Sequence, residues 1–430
     1  MSNEATGGRR LVRRFYWFQV TRSVGFIYPI FALFVLRDVS FTGYGTLSAI
    51  YAAVVVASEV PTGYVGDRWG RRASMAGGVA CTALSLAGFV VADSFAGYAV
   101  LYVIWAFATT FNSGSGDAWL YETLQRHLDA GAFTRVRGRA GAVERWTSVA
   151  TMLAGGVLYA VDPRVPFVAS VALNLLGFGV LWTLPASGRR GDGTGSVADG
   201  ESGSTGDREA GGGSAPGAGT SARAALGVVR DSFATPGLRG FVPFVAVVLA
   251  GVGAAGGYVQ PIGVDLFRTL LPPSLSAVPE SSLLGAMYAS FTGVAGVAAA
   301  SAGRVEDLLG VRGAVLLVPA VTAVLMLLPP LVLVAALPMF VARTATSPLF
   351  VPIAYGYVND RVGDAGRATT LSAVSMVQGA VRTPLALAAG VVADAFGAVA
   401  APAMLGCVVL LAVGAAAVGR PVAAGTRTTS

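Results

Sequence analysis

The chain has 430 residues, 54% of them hydrophobic and 12% charged, with a formal net charge of +7. A charged fraction about half that of ordinary soluble domains cannot clothe a water-facing surface. With apolar runs of about 18 residues or more it predicts an integral membrane protein. All 30 basic residues are Arg, and they cluster in short loops between apolar runs, so topology explains them and nucleic acid is not an expected partner.

Taken in order, residues 1–14 form a polar, basic N-terminal tail that runs straight into a full-length apolar stretch. That is not the pattern of a cleavable signal peptide, whose apolar part is shorter and ends at small residues. Twelve spans follow, at 15–36, 44–66, 73–92, 96–118, 140–161, 165–185, 239–264, 282–303, 313–329, 332–357, 368–392 and 397–419. Backbone groups in hydrocarbon have to be satisfied internally, so each span is expected to be an α-helix. The fold class is therefore all-α, with a six-helix half at 15–185 and another at 239–419. Between them, 186–238 is rich in Gly, Ser, Thr, Asp and Arg, the composition of a flexible linker. A short tail, 420–430, ends the chain.

Arginine placement orients the spans. Arg9, Arg10, Arg13 and Arg14 precede the first, Arg68, Arg71 and Arg72 follow the second, and Arg126, Arg135, Arg137 and Arg139 lie between the fourth and fifth. Arg304 and Arg312 flank the loop after the eighth. The opposite loops hold Arg37, Arg164 and Arg268. This predicts a multi-pass protein of the cell membrane with both termini and the linker in the cytoplasm. Cys81 and Cys407 sit inside apolar runs and are expected to be buried, inert thiols, and His127 is the single histidine. No metal site of ordinary spacing can be assembled from them.

One stretch is written twice. Gly63, Asp67, Gly70 and Arg72 recur as Gly303, Asp307, Gly310 and Arg312 at the same spacing, each set between two spans. The first copy is richer, adding Arg68 and Arg71. A fainter echo, Gly390, Asp394 and Gly397, stands at the other end of the eleventh span. Two six-helix halves, a central linker and Gly-x-x-x-Asp-Arg-x-Gly-Arg-Arg after the second span resemble the major facilitator superfamily, over the whole chain except linker and tails. Glu59-Val60-Pro61-Thr62-Gly63 and the Gly114–Leu124 stretch resemble one subgroup of it. The resemblance implies parallel halves, each an inverted pair of three-helix units, that rock about a central site. It also implies that Gly63 and Asp67 meet the start of the eleventh span and close the cytoplasmic side, with Gly70 making the tight turn. The second copy, with fewer arginines, is expected to clamp more weakly.

Charges inside spans need a partner, water or a task. Arg22, Glu59, Asp117, Glu122, Arg343 and Arg382 are of this kind. Glu59 is expected to pair with Arg22 or with Arg382, either as a fixed pair or as a proton-linked carboxylate. Arg343 and Arg382 have no acid at matching depth, so they either hold an anionic group or neutralise acids of the other half. Asp117, Glu122, Glu144 and Arg145 are expected to bridge the ends of the fourth and fifth spans. Tyr28, Tyr258 and Gln260 are cavity candidates, because Pro29 and Pro261 permit bends in the first and seventh spans, and Asn112 is a further candidate as a polar residue inside the fourth.

The sequence and the resemblance thus point to a secondary transporter of a small solute, embedded in the bilayer and without a cofactor, and the resemblance implies a monomer. No phosphate-binding Gly-x-x-x-x-Gly-Lys loop is present, so ATP is not the expected driving force; the family resemblance, with Glu59, implies a proton gradient, with a sodium gradient as the alternative. Direction stays open. Efflux is marginally favoured, although the fifth span, Leu153-Ala154-Gly155-Gly156-Val157, lacks the Gly-Pro motif of many family exporters. The alternative is a non-transporting sensor on the same fold. An enzyme is not expected, for want of a nucleophile–base pair or metal cluster.

Overall fold

The structure is a computed structural model that describes residues 2–113, 115–127, 132–185, 238–275, 277–361 and 367–419. The linker up to residue 237 and the tail 420–430 lie outside the described residues, as do the side chains of Asp67, Arg126, His127 and Arg367.

Every regular element among the described residues is helical. The first half comprises α1 (Ser2–Thr21), α2 (Phe31–Val35), α3 (Phe41–Trp69), α4 (Arg71–Val91), α5 (Phe95–Asn112), α6 (Ser115–His127), α7 (Phe133–Val161) and α8 (Val165–Trp182). The second comprises α9 (Phe241–Ala254), a 3-10 turn (Ala255–Tyr258), α10 (Val259–Leu270), α11 (Glu280–Leu327), α12 (Ala336–Asn359), α13 (Arg367–Phe396) and α14 (Ala400–Gly419). Nine stretches of described helix are long and apolar enough to cross a membrane. The longest, α11, holds both the eighth and ninth expected spans, which meet at a break at Gly310 (φ 67°, ψ 162°). The first expected span is interrupted after Thr21, and the first half of α7 is loaded with charge, so neither reaches that measure. Twelve crossings are consistent with this arrangement.

Local signals set the ends. Ser40 Oγ accepts from the Gly43 amide (3.2 Å) at the start of α3, and Ser94 Oγ accepts from Gly97 (3.4 Å) at the start of α5. Three reversals between helices turn on left-handed glycines: Gly70 (φ 92°), Gly310 (φ 67°) and Gly397 (φ 89°). These are the closing glycines of the two motif copies and of the fainter echo, so the three share a backbone shape as well as a spacing.

Each half has its own cores. In the first, Phe34, Phe89, Tyr98 and Phe167 pack as an aromatic cluster. In the second, Phe241, Phe350 and Tyr357 anchor a separate one. The halves meet along α3 with α13 and along α7 with α11. Cys81 is half-buried and Cys407 is exposed on α14, a correction to the expectation of two buried thiols. An apolar run in a membrane protein has a lipid-facing side as well as a core side, and hydropathy does not tell them apart.

No atom lies within 4 Å of where a Cβ would stand at Gly310 or Gly397. Alanine there meets only the backbone penalty of a positive-φ conformation that favours glycine, about 1–3 kcal/mol. Gly310→Ala and Gly397→Ala are each expected to lower the unfolding midpoint of the detergent-purified protein. Midpoints equal to wild type would mean that these turns do not depend on glycine.

Candidate functional site

The two interrupted spans face each other across the middle of the molecule. The first stops being helical from Arg22 to Ile30 and resumes as α2. Its broken segment lies directly on α7: Ser23 Oγ is 3.0 Å from Thr151 Oγ1, and a Cβ at Gly155 would collide with the Phe26 carbonyl. The seventh span loosens to 3-10 geometry at Ala255–Tyr258. There Gly256 leaves room for the Arg343 guanidinium and Gly257 for the Tyr44 ring. Between the two breaks is a cavity of about 310 Å³, lined by both halves. Its walls are largely aromatic, with Tyr28, Phe31, Tyr51, Tyr102, Trp105 and Tyr288, and two cations reach it, Arg343 from α12 and Arg382 from α13.

Gln260 ties the breaks together. In an unbroken helix the Ala32 amide would donate to the Tyr28 carbonyl. Here the Gln260 amide is inserted between them. Its Nε2 donates to Tyr28 O (2.8 Å), and its Oε1 accepts from Ala32 N (2.7 Å) and Leu33 N (3.1 Å). The groups freed by the break are thus satisfied by a side chain of the other half, as a water-poor interior requires.

Close to this plug, one end of the molecule is sealed. Asp394, near the end of α13, accepts from Phe41 N (2.9 Å) and Thr42 N (2.8 Å), the free amides that open α3. Four residues earlier, a Cβ at Gly390 would run into the Phe41 carbonyl, so the two helices touch backbone to backbone. On the other side of the same end, Ser281 Oγ donates to Gly156 O (2.8 Å), and Gly156 packs on the backbone of Ser281. Tyr258 belongs to this seal. It is 2% exposed and stacks on Phe41 at 5.9 Å. This corrects its expected place in the cavity wall, since the 3-10 turn rotates it away from α10's cavity side.

The opposite end carries the duplicated motif. Gly63 and Gly303 have no atom within 4 Å of a Cβ position. The expected contact of Asp67 with the start of the eleventh span falls on side chains outside the described residues. The arginines of the motif are engaged within their own half. Arg68 reaches Tyr64 Oη (3.2 Å), and Arg71 Nε lies 3.8 Å from Glu122. Arg72 donates to Trp182 O (2.9 Å) and stacks over that ring. In the second half Arg312 donates to Ala417 O (3.4 Å), the matching position at the end of α14. Asp307 is exposed.

The remaining charges are placed as follows. Asp117 pairs with Arg137, joining α6 to α7. Arg22 sits on the Phe18 ring, 3.4 Å from Gln19 Oε1, within electrostatic reach of Glu144 and Asp117. It lines a second cavity, of about 390 Å³, with Asn112 and Asn174. Asn112 therefore borders that space and not the central one. Glu59 is exposed on the same face of α3 as Gly63, and among the described residues it makes no ion pair with Arg22 or Arg382. The expected pairing is absent because matched depth says nothing about azimuth: Ser58 and Thr62 take the buried side of α3. Tyr28 and Gln260 do line the central cavity. Sequence reasoning missed Tyr44, Tyr51, Tyr102, Trp105 and Tyr288. The seven-residue interval from Tyr44 to Tyr51 was the available signal.

Two helix bundles that close around a solute-sized space define a multi-pass membrane protein with a central cavity. The Major Facilitator Superfamily profile matches residues 20–382, and the chain belongs to that superfamily. An uncharacterized MFS-type transporter of Bacillus subtilis (strain 168), YxaM, is 27% identical over 167 residues, which is 38% of this chain and 41% of that protein. The match thus spans less than half of the relative's length. Among solved structures, the nucleoside transporter NupG aligns with a TM-score of 0.74 at 11% identity, covering 94% of this chain and 98% of that one. A D-xylose-proton symporter aligns with a TM-score of 0.64 at 12% identity, covering 94% and 95%.

Replacing Gln260 by Leu removes one side chain and leaves two amides and a carbonyl unpaired. At about 1–3 kcal/mol for an unsatisfied buried group, Gln260→Leu is expected to lower the unfolding midpoint more than Gln260→Glu, which keeps an acceptor for both amides. Equal midpoints for the two variants would contradict the inserted geometry.

Proposed function

We propose that the protein is a proton-driven secondary transporter that carries a small organic solute by alternating access, as a monomer and without a cofactor. The observation that carries this reading is the central cavity. Both halves line it through their broken spans, and it is sealed at one end by contacts between the halves. A site of that kind is delivered to either side of a membrane by rocking one half against the other. Arginine distribution puts the motif end and both termini in the cytoplasm of the cell, so the sealed end faces outside. The conformation described is then the one open toward the cytoplasm.

The two latches are read as opposite members of one cycle. Asp394 on the α3 amides holds the outer end shut. Asp67, one motif spacing below Gly63, is the corresponding carboxylate for the inner end when the halves rock the other way. Glu59 lies one helical turn from Gly63 on the same exposed face and makes no ion pair among the described residues, which suits a carboxylate that gains and loses a proton during the cycle.

Transport is tested with purified protein in proteoliposomes, following counterflow of a radiolabelled solute panel under an imposed pH gradient, a sodium gradient or neither. Flux that rises with the pH gradient alone is expected. Glu59→Gln is expected to retain exchange and lose the response to pH. A pH response undiminished in Glu59→Gln would remove Glu59 from coupling, and absence of flux for the whole panel would remove the transporter reading.

The latches make predictions of opposite sign. In a background lacking Cys81 and Cys407, single cysteines placed at either end report accessibility. Asp394→Asn is expected to raise labelling at the sealed end and lower it at the motif end, and Asp67→Asn to do the reverse. Weakening one charged hydrogen bond by about 1.5 kcal/mol shifts the ratio about tenfold. Shifts of the same sign in both variants would refute the reciprocal arrangement.

A further inference from the structure

Arg343 and Arg382 are the two charges in the central cavity wall, and no acid lines it with them. Each has a buried Nε without a hydrogen-bond partner, and neither forms a salt bridge among the described residues. Two cations from neighbouring spans of the same half thus converge on one space with no acid among the described residues paired to either. An intramembrane charge left in that condition is expensive. Gly256 is shaped to admit the Arg343 guanidinium, so the placement of that cation is built into the backbone. Around the two cations the wall is aromatic, with Tyr44 in electrostatic reach of Arg382 and Tyr288 of Arg343.

We infer that the cargo is an organic anion, a carboxylate or a related oxyanion on a flat apolar body, with its acid group held by Arg343 and Arg382 and its body laid among the tyrosines and Trp105. The inference rests on the reading of this cavity as the transport site. A guanidinium offers a planar fork of donors that matches a carboxylate. Other classes of solute fit poorly. A cation meets two like charges and no carboxylate. A polyol could use the Ser48 and tyrosine hydroxyls, but it leaves both guanidinium charges uncompensated, and the one amide in the wall, Gln260, is already spent on Tyr28, Ala32 and Leu33. A bare inorganic anion leaves the aromatic wall unused. The volume, about 310 Å³, lies at the low end of ordinary ligand pockets and suits a body of one or two rings.

The test uses the full chain purified in detergent and a matched set of probes: 2-naphthoate, the neutral 2-naphthamide, the cationic 2-naphthylmethylamine, and acetate. Binding is read by calorimetry and by quenching of tryptophan fluorescence. Naphthoate is expected to bind about tenfold or more tightly than each of the other three. Arg343→Gln and Arg382→Gln are each expected to weaken it about tenfold or more, with Arg343→Lys and Arg382→Lys intermediate. The Lys variants, with elution profile and unfolding midpoint, separate loss of charge from loss of fold. The inference is overturned if the amide or the amine binds as tightly as the acid, if the Gln variants bind naphthoate as wild type does, or if naphthoate fails to bind at millimolar concentration. Flux of labelled naphthoate in proteoliposomes is measured in parallel. The predicted binding pattern without flux under any gradient would support the anion site while overturning the transport reading. Flux of the amide or amine that is indifferent to both arginines would do the opposite.

Discussion

A peptide group in hydrocarbon has to find its partner within the protein, and this constraint shapes the centre of the molecule. Pro29 and the glycine at position 25 break the first span, so amides and a carbonyl are released where water is scarce. Gln260 takes them up from the facing half. The repair is also a link: the first half cannot keep its broken span satisfied in this conformation unless the second half supplies an amide. A local defect in one helix becomes a contact between two bundles. The same pair of breaks opens the cavity, because spans that stop being helical at mid-depth no longer fill the space along their axis.

The duplicated hairpin shows how a short string of residues is reused. Gly70, Gly310 and Gly397 share a left-handed backbone, and each stands three residues after an acid and seven after a glycine. In two copies the arginine two residues on binds a carbonyl at the end of the last helix of its own half, Trp182 or Ala417. The third copy lacks that arginine and stands at the other end of the bundle. There its acid and glycine are engaged with α3. The arginines of the motif therefore brace each hairpin within its half. The glycine and the acid form the part of the motif that can reach across, as the third copy does here.

Much of this was legible in the sequence, and for physical reasons. Apolar run length fixes where helices lie, and proline pairs such as Pro329-Pro330 mark a turn, so most span ends fall within a few residues of the helices. Spacing alone marks the third glycine–acid–glycine set, Gly390, Asp394 and Gly397. What hydropathy does not encode is azimuth. Glu59 and Arg22 share a depth and do not meet, because Glu59 turns to the open face of α3. Tyr258 and Gln260 are two residues apart, yet one seals and the other plugs, since a 3-10 turn ends between them. The tyrosine wall was missed for the same reason: a tyrosine in an apolar run faces core, lipid or cavity with equal ease, and only packing decides.

The seal itself is suited to being broken. Its close contacts are glycine against backbone, at Gly390 on Phe41 and Gly156 on Ser281. Such surfaces pack well and carry no directional bond that must be matched before they part. Directionality is confined to a few groups, the Asp394 carboxylate, the Ser281 hydroxyl and the Gln260 amide. Two conformations interconvert usefully only when their free energies lie within a few kcal/mol. A seam of ionic pairs buried between the halves would hold one state too firmly. The ion pairs described between helix ends, Arg71 with Glu122 and Arg137 with Asp117, lie within a half and not across the seam. The ion pairs sit inside the bundles, glycine contacts and a few hydrogen bonds join the two, and two arginines without a salt bridge among the described residues stand at the cavity, where a bound anion would favour one conformation over the other.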